Sequence, residues 1–230
     1  MLKNLEKRTQ LKNNQEIKYL YRIFPDKIKN LGKVNLLCGG NGVGKTSLLN
    51  AIRYSEMRSP DIDKDKPHML YYYSNSENNY RNIEPSPLAT NNNYVSEMVG
   101  RYEAHSLSEG QAMEYSINDL FSALDFLKEE KDAYKIVLID ELDSGMSVDK
   151  IKKVMNKIKA ISKEDEDMQF FISFNNYYCA TFFPDDIINM YDGNKVKFNS
   201  FEEYVNFICD EKNVKQIEEK TKWLKENGYR

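Results

Sequence analysis

At 230 residues and 27.0 kDa, with 40% hydrophobic and 30% charged residues, the chain suits one globular domain able to bury a sizeable core. No stretch approaches the roughly 20 apolar residues of a membrane span, and the opening MLKNLEKRTQLKNNQE lacks the apolar run of a secretory signal, so neither is expected. With 33 basic against 36 acidic residues there is no global positive field to hold nucleic acid, and only a local basic patch would serve DNA.

In chain order, residues 17–23 alternate and are rich in β-formers until Phe24-Pro25 breaks them. Val34–Cys38 is a short apolar run bounded by Gly32 and Gly39, and both stretches predict strands. Residues 47–54 continue as a helix, and residues 69–73 read as another strand. From Ser74 to His105 the chain is polar and punctuated by Pro85 and Pro87, which predicts loop and short helix. Met113, Ile117, Leu120, Leu124 and Leu127 step by four and three, the period of a helix with one buried stripe. Residues 136–139 form a continuous apolar run suited to a central parallel strand covered on both faces. Residues 149–161 predict a helix with Ile151, Val154, Ile158 and Ile161 inward, and residues 169–172 a third buried strand. After Pro184 come a turn at Asp192-Gly193-Asn194, a helix near residues 201–209, and a last helix with Val214, Ile217 and Leu224 on one side. Trp223 lies beside that side, available for packing or for a partner. Strand and helix alternate, so the expected class is α/β with a largely parallel sheet flanked by helices.

Cys38, Cys179 and Cys209 are odd in number and widely separated, with no CxxC pair. They argue against a disulfide framework and predict small buried residues in a reducing, cytoplasmic compartment. His68 and His105 have no ligand-like neighbours in sequence, so zinc chemistry gets no support. Lys150, Lys152, Lys153, Lys157 and Lys159 form a basic run on one helix, either a solvated face or a contact to a phosphate backbone.

Gly39-Gly40-Asn41-Gly42-Val43-Gly44-Lys45-Thr46 matches GxxxxGK[ST], after a predicted strand and before a predicted helix that Ser47 continues. Its glycines let successive N–H groups curl toward one phosphate, and the helix start adds a positive end. In such a loop Lys45 reaches the β- and γ-phosphates of ATP, and the Thr46 hydroxyl ligates Mg²⁺. The apolar run 136–139 followed by Asp140-Glu141 supplies the second half. Asp140 falls at the sheet's carboxyl edge, close enough to hold Mg²⁺ directly or through water. Glu141 faces the other way along the strand and is the candidate general base for water.

Ser106-Leu107-Ser108-Glu109-Gly110-Gln111 precedes the amphipathic helix. Ser108 and Gln111 form an S-x-x-Q capping box, and Gly110 keeps that first turn clear so that a phosphate can approach. This LSEGQ lies between the P-loop and the strand ending in Asp140, and it matches the LSGGQ signature at four of five positions. With Ser144-Gly145-Met146-Ser147, which looks like the D-loop, the chain resembles the ABC superfamily of ATPases over roughly residues 15–195. The resemblance implies an ABC-type fold with a small N-terminal antiparallel β portion and a helical subdomain carrying the signature. It divides the chain into a nucleotide-binding core (1–73 and 134–195), a signature subdomain (about 74–133) and a C-terminal helical tail (about 196–230). It also implies a homodimer stacked head to tail on two ATPs, in which Ser108, Gly110 and Gln111 of one copy meet the γ-phosphate held by Lys45 of the other.

Within that superfamily a transporter subunit would carry a Gln-bearing loop before the signature and an Arg-containing stretch after it. No Gln occurs between Thr46 and Gly110, and the signature continues as Gln111-Ala-Met-Glu-Tyr-Ser116. The layout looks more like the SMC, RecF and OLD-like branch, which serves DNA maintenance or anti-phage defence. With no coiled coil or nuclease attached, a separate effector protein is expected. Where relatives carry a switch histidine, this chain reads Ser173-Phe174-Asn175-Asn176, leaving Asn175 to bond phosphate or water. The D-loop Asp is replaced by Ser147. These departures imply slow hydrolysis with ATP binding retained. Tyr19 or Tyr21 either stacks on adenine, as in relatives, or packs in its strand. The alternatives are an ABC transporter's ATPase subunit and a non-catalytic ATP-sensing scaffold of a toxin or defence complex.

Overall fold

The computed structural model describes residues 2–7, 25, 27–54, 57–58, 66–74 and 109–226. Along these run β1 (Leu5–Lys7), β2 (Lys27–Ile28), β3 (Val34–Cys38), α1 (Lys45–Arg53), β4 (Met57–Arg58), β5 (His68–Ser74) and α2 (Glu109–Glu129). Then follow β6 (Tyr134–Asp140), α3 (Val148–Glu164), β7 (Met168–Ser173), the single turn α4 (Tyr177–Ala180), β8 (Ile187–Asn189), β9 (Lys195–Val196), α5 (Phe201–Ile208) and α6 (Glu211–Glu226). The expected strand over 17–23, both candidate adenine-stacking tyrosines, the 75–105 segment and Ser106-Leu107-Ser108 lie outside the described residues.

The large sheet has the order β5-β6-β7-β3-β8-β9, parallel throughout except for the antiparallel β8–β9 edge. A separate antiparallel sheet, β2-β1-β4, carries the N-terminal portion. Period-two alternation assigns the central strands' side chains to two cores. Val34, Leu36, Val137, Ile139, Phe170 and Ile172 face one side, where Ile117, Leu120 and Leu124 of α2 and Ile151, Val154 and Ile158 of α3 cover them. Leu37, Ile136, Leu138 and Phe171 face the other, against Leu48, Leu49 and Ile52 of α1 and Ile188 of β8. Each such residue taken fully out of water contributes on the order of 1.5–3 kcal/mol before chain entropy is counted.

The stripe predicted for α2 is buried as drawn, at Met113, Ile117, Leu120, Leu124 and Leu127. In α6, Ile217 and Leu224 pack on the α1-side core while Val214 stays 38% exposed, so the tail's apolar side is narrower than its sequence suggests. Trp223 is half-buried. Among the described residues no helix is long and apolar enough to cross a membrane.

One sequence expectation changes and another is refined. In the basic run on α3, three of the five lysines have partners on α2, while Lys152 and Lys159 are exposed. Lys153 pairs with Glu114 at 2.8 Å, Lys157 pairs with Asp125 at 2.6 Å, and Lys150 donates to the Gly110 carbonyl at 2.6 Å. Cys38 and Cys179 are buried as expected, but Cys209 is exposed. At the edge of the sheet away from the P-loop, Lys135 is fully buried and pairs with Asp165 at 2.7 Å. Lys135 also donates to the Glu130 carbonyl, and Asp165 accepts the Asp167 N–H, so both charges are satisfied.

Candidate functional site

Because β6, β7 and β3 are parallel neighbours, the segments leaving their carboxyl ends share one edge of the sheet. Those segments are Asp140-Glu141 after β6, Phe174-Asn175 after β7, and the glycine loop after β3. Topology therefore gathers residues that are more than 90 apart in sequence.

Gly44, at φ 104°, is the N-cap of α1, and Gly42 sits at φ 85°. Both lie in the left-handed region where a side chain is disfavoured, so the loop's curl depends on glycine at these positions. Lys45 is the first residue of α1, and its side chain folds back over the loop. Its Nζ donates to the Gly39 carbonyl at 2.7 Å and to Asn175 Oδ1 at 2.9 Å. An ammonium carries three donors, so this geometry directs two of them inward and leaves one for an arriving oxygen. Lys45 is 8% exposed, and burial pushes its pKa below the ordinary lysine value. The carboxylates of Asp143, Asp140 and Glu141 oppose that shift. Cys38, on the strand beneath, is pushed up to about 12 by burial and stays a neutral thiol.

Asp140 Oδ1 accepts from Thr46 Oγ1 at 3.1 Å and from Ser173 Oγ at 2.5 Å. The Ser173 hydroxyl in turn accepts the Glu141 backbone N–H at 2.7 Å, and the Ser173 carbonyl accepts the Leu142 N–H at 3.1 Å. Strand alternation ends at Asp140, because Glu141 turns into the left-handed region at φ 50°. The expectation that Glu141 points away along a continuing strand therefore gives way to a turn, and both carboxylates act on the Lys45 ammonium.

Behind the loop, the Gly40 N–H donates to the Tyr191 hydroxyl at 3.0 Å. A Cβ placed on Gly40 would lie 3.0 Å from Ile217 Cδ1 and 3.1 Å from that hydroxyl. The C-terminal helices thus back the P-loop rather than trail from it. Asn41 and Gly42 are exposed and Val43 is buried in the α1-side core. Thr46 is exposed, and Ser47 is half-buried in the first turn of α1.

Lys45, Thr46, Asp140, Glu141 and Asn175 thus come to one place. Gly110 and Gln111 do not join them: both are exposed at the start of α2, and no described atom outside its own helix turn lies within 4 Å of where a Gly110 Cβ would sit. Ser108 lies outside the described residues. Sequence reading missed Ser173, Asp143, Tyr191 and Tyr204 as parts of this site. Only Ser173 left a signal, as a hydroxyl closing the apolar run Phe170-Phe171-Ile172.

No protein-family model matches the chain, and no curated protein matches it. Solved structures similar to it include an ATP-binding cassette of an ABC transporter in its ADP conformation, at 19% identity over 84% of this chain and 91% of that one, with TM-score 0.46. A nucleotide-free ATP-binding cassette from an ABC transporter gives 18% identity over 82% of this chain and 91% of that one, with TM-score 0.44. C. elegans PCH-2 gives 16% identity over 71% of this chain, with TM-score 0.37, and this chain spans 36% of that one.

Proposed function

We propose that this chain is an ABC-type ATPase domain that binds Mg-ATP, hydrolyses it slowly, and pairs head to tail with a second copy around the nucleotide. The observation that carries the reading is the convergence of Lys45, Thr46 and Asp140 at one helix N-terminus, with Asn175 holding the lysine. A triphosphate laid on this loop meets the positive end of α1, the backbone N–H groups of Gly42 to Thr46, and the remaining Lys45 donor. It also brings negative charge to the buried ammonium beside that of Asp143, Asp140 and Glu141.

Among the described residues no cluster of three or more His, Cys, Asp or Glu could hold a metal by itself. Thr46 and Asp140 nevertheless offer two hard oxygens side by side, which suits Mg²⁺, an ion that takes few protein ligands and completes its shell with phosphate and water. Bound there, Mg²⁺ would neutralise charge on the β- and γ-phosphate oxygens. Glu141, on its left-handed turn, is the residue to accept a proton from the attacking water. Asn175 has no titratable group, and this supports slow turnover.

The signature glycine supports pairing between copies. Gly110 is exposed and, among the described residues beyond its own helix turn, nothing crowds the position of a side chain there, so the space suits a phosphate brought by a partner. Ser108, Gly110 and Gln111 would then complete the pocket of the opposite copy. The missing Gln before the signature and the missing Arg stretch after it favour the SMC, RecF and OLD-like branch, with a separate effector protein in DNA maintenance or anti-phage defence. Cytoplasmic residence belongs to the same reading. Calorimetric titration with Mg-ATP tests it: the wild-type chain should bind and Lys45→Ala should not, and equal heats from both would overturn the assignment.

A further inference from the structure

Asp143 lies two residues past Glu141, in the turn between β6 and α3. Its Oδ2 accepts the backbone N–H of Asn175 at 2.9 Å and that of Asn176 as well. Its Oδ1 is buried without a hydrogen-bond partner among the described residues. From the other side, the Tyr204 hydroxyl on α5 donates to the Asn175 carbonyl at 2.6 Å. Asn175 itself is exposed and belongs to neither β7 nor α4, so no ladder or helix bond fixes it. Its backbone is gripped at N–H by Asp143 and at C=O by Tyr204. Its carboxamide oxygen then receives Lys45.

We propose that Asp143 is a positioning residue of the phosphate site: by holding the Asn175 backbone it sets the carboxamide that aims the Lys45 ammonium, and so ties the turn over residues 141–147 to the P-loop. The inference rests on reading the site as an ATP site. The turn is itself stitched by the Ser144 N–H to the Glu141 carbonyl at 3.0 Å and the Met146 N–H to the Asp143 carbonyl at 3.2 Å. Gly145 in this turn lies against Met113 of α2, with 3.2 Å between a built Cβ and the Met113 Cε. This contact sets the turn that carries Asp143 against the first turns of α2. Two backbone N–H donors on one carboxylate oxygen account for an acidic side chain at this half-buried position.

The test is a double-mutant cycle on the full chain, reading the Kd for Mg-ATP. Asp143→Ala and Asn175→Ala should each weaken binding about tenfold, the loss expected for a hydrogen bond to a charged group. In the Asn175→Ala background, Asp143→Ala should add less than about twofold, because its effect runs through Asn175. Equal losses in both backgrounds would overturn the proposal by showing a merely structural residue. Asp143→Asn keeps an acceptor and should return binding to within about threefold of wild type; a loss matching Asp143→Ala would also overturn it. If Asp143→Ala does not accumulate folded, Asp143→Ser enters the same cycle with the same criterion of non-additivity. A wild-type chain that binds no Mg-ATP removes the ATP reading, whereas normal binding with an indifferent Asp143→Ala removes this inference alone.

Discussion

Ser173→Ala takes a single oxygen from the site and should unfasten both acidic residues at once. The hydroxyl is fully buried, donates to Asp140 Oδ1 at 2.5 Å and accepts the Glu141 N–H at 2.7 Å. The bond to a carboxylate is worth about 1.5–3 kcal/mol, and stranding a buried backbone N–H costs about 1–3 kcal/mol. The two overlap, because the Glu141 turn relaxes once released, and about 3 kcal/mol is the expected total. For a chain of this size 1 kcal/mol moves the thermal midpoint by about 2–4 °C, so the variant should melt roughly 6–12 °C below wild type without nucleotide. Circular dichroism melting reads that shift directly. The same change should raise the Mg²⁺ concentration needed for half-maximal ATP turnover, because Asp140 loses the shorter of the two hydroxyl bonds that orient it. A midpoint within about 2 °C of wild type, or an unchanged Mg²⁺ requirement, would refute the claim that Ser173 organises the acidic pair.

Lys45→Met should abolish the rise in melting midpoint on adding Mg-ATP while raising the midpoint measured without it. A lysine whose folded pKa lies below its unfolded value destabilises the fold at neutral pH, and that penalty fades as pH climbs through the folded value toward the unfolded one. A lower nucleotide-free midpoint for Lys45→Met at pH 7 would contradict the sign. Thiol titration with an aromatic disulfide at pH 8 should find one reactive cysteine in the native chain and three after denaturation. Cys209 is exposed, whereas burial holds Cys38 at about 12 and pushes Cys179 higher still. Three fast-reacting thiols in the native chain would be inconsistent with this core. Lys135→Met should cost about 3–5 kcal/mol by leaving the Asp165 carboxylate buried and alone, while Lys135→Met with Asp165→Leu recovers most of it. Urea melts showing the double variant no better than the single would count against a coupled pair.

Features carried by a few adjacent residues were legible in the sequence. The glycine loop, the strand ending in Asp140 and the four-three stripe of α2 each follow from local spacing, and the structure has them at nearly the expected residues. What sequence could not show depends on strand order. Ser173 acts on Asp140 and Glu141 only because β7 lies beside β6, and its hydroxyl pattern has no counterpart within its own segment. Tyr191 reaches Gly40 from 151 residues away, and Tyr204 reaches Asn175 by way of a C-terminal helix that the sequence presented as a tail. Glu141 illustrates a different gap. Strand alternation put its side chain on the far face, but the serine bond and the left-handed turn end the strand one residue earlier. Lys150, Lys153 and Lys157 read as part of an unpartnered basic run because their partners sit on α2, some 30 to 40 positions upstream.

Light scattering of Glu141→Gln, with and without Mg-ATP, tests most directly whether nucleotide joins two copies of this chain. Removing the proposed base while keeping the fold should trap the closed state, so the mass should go from 27.0 kDa to twice that value when Mg-ATP is added and return when it is removed. A mass that stays at 27.0 kDa at saturating Mg-ATP would contradict the shared-pocket account.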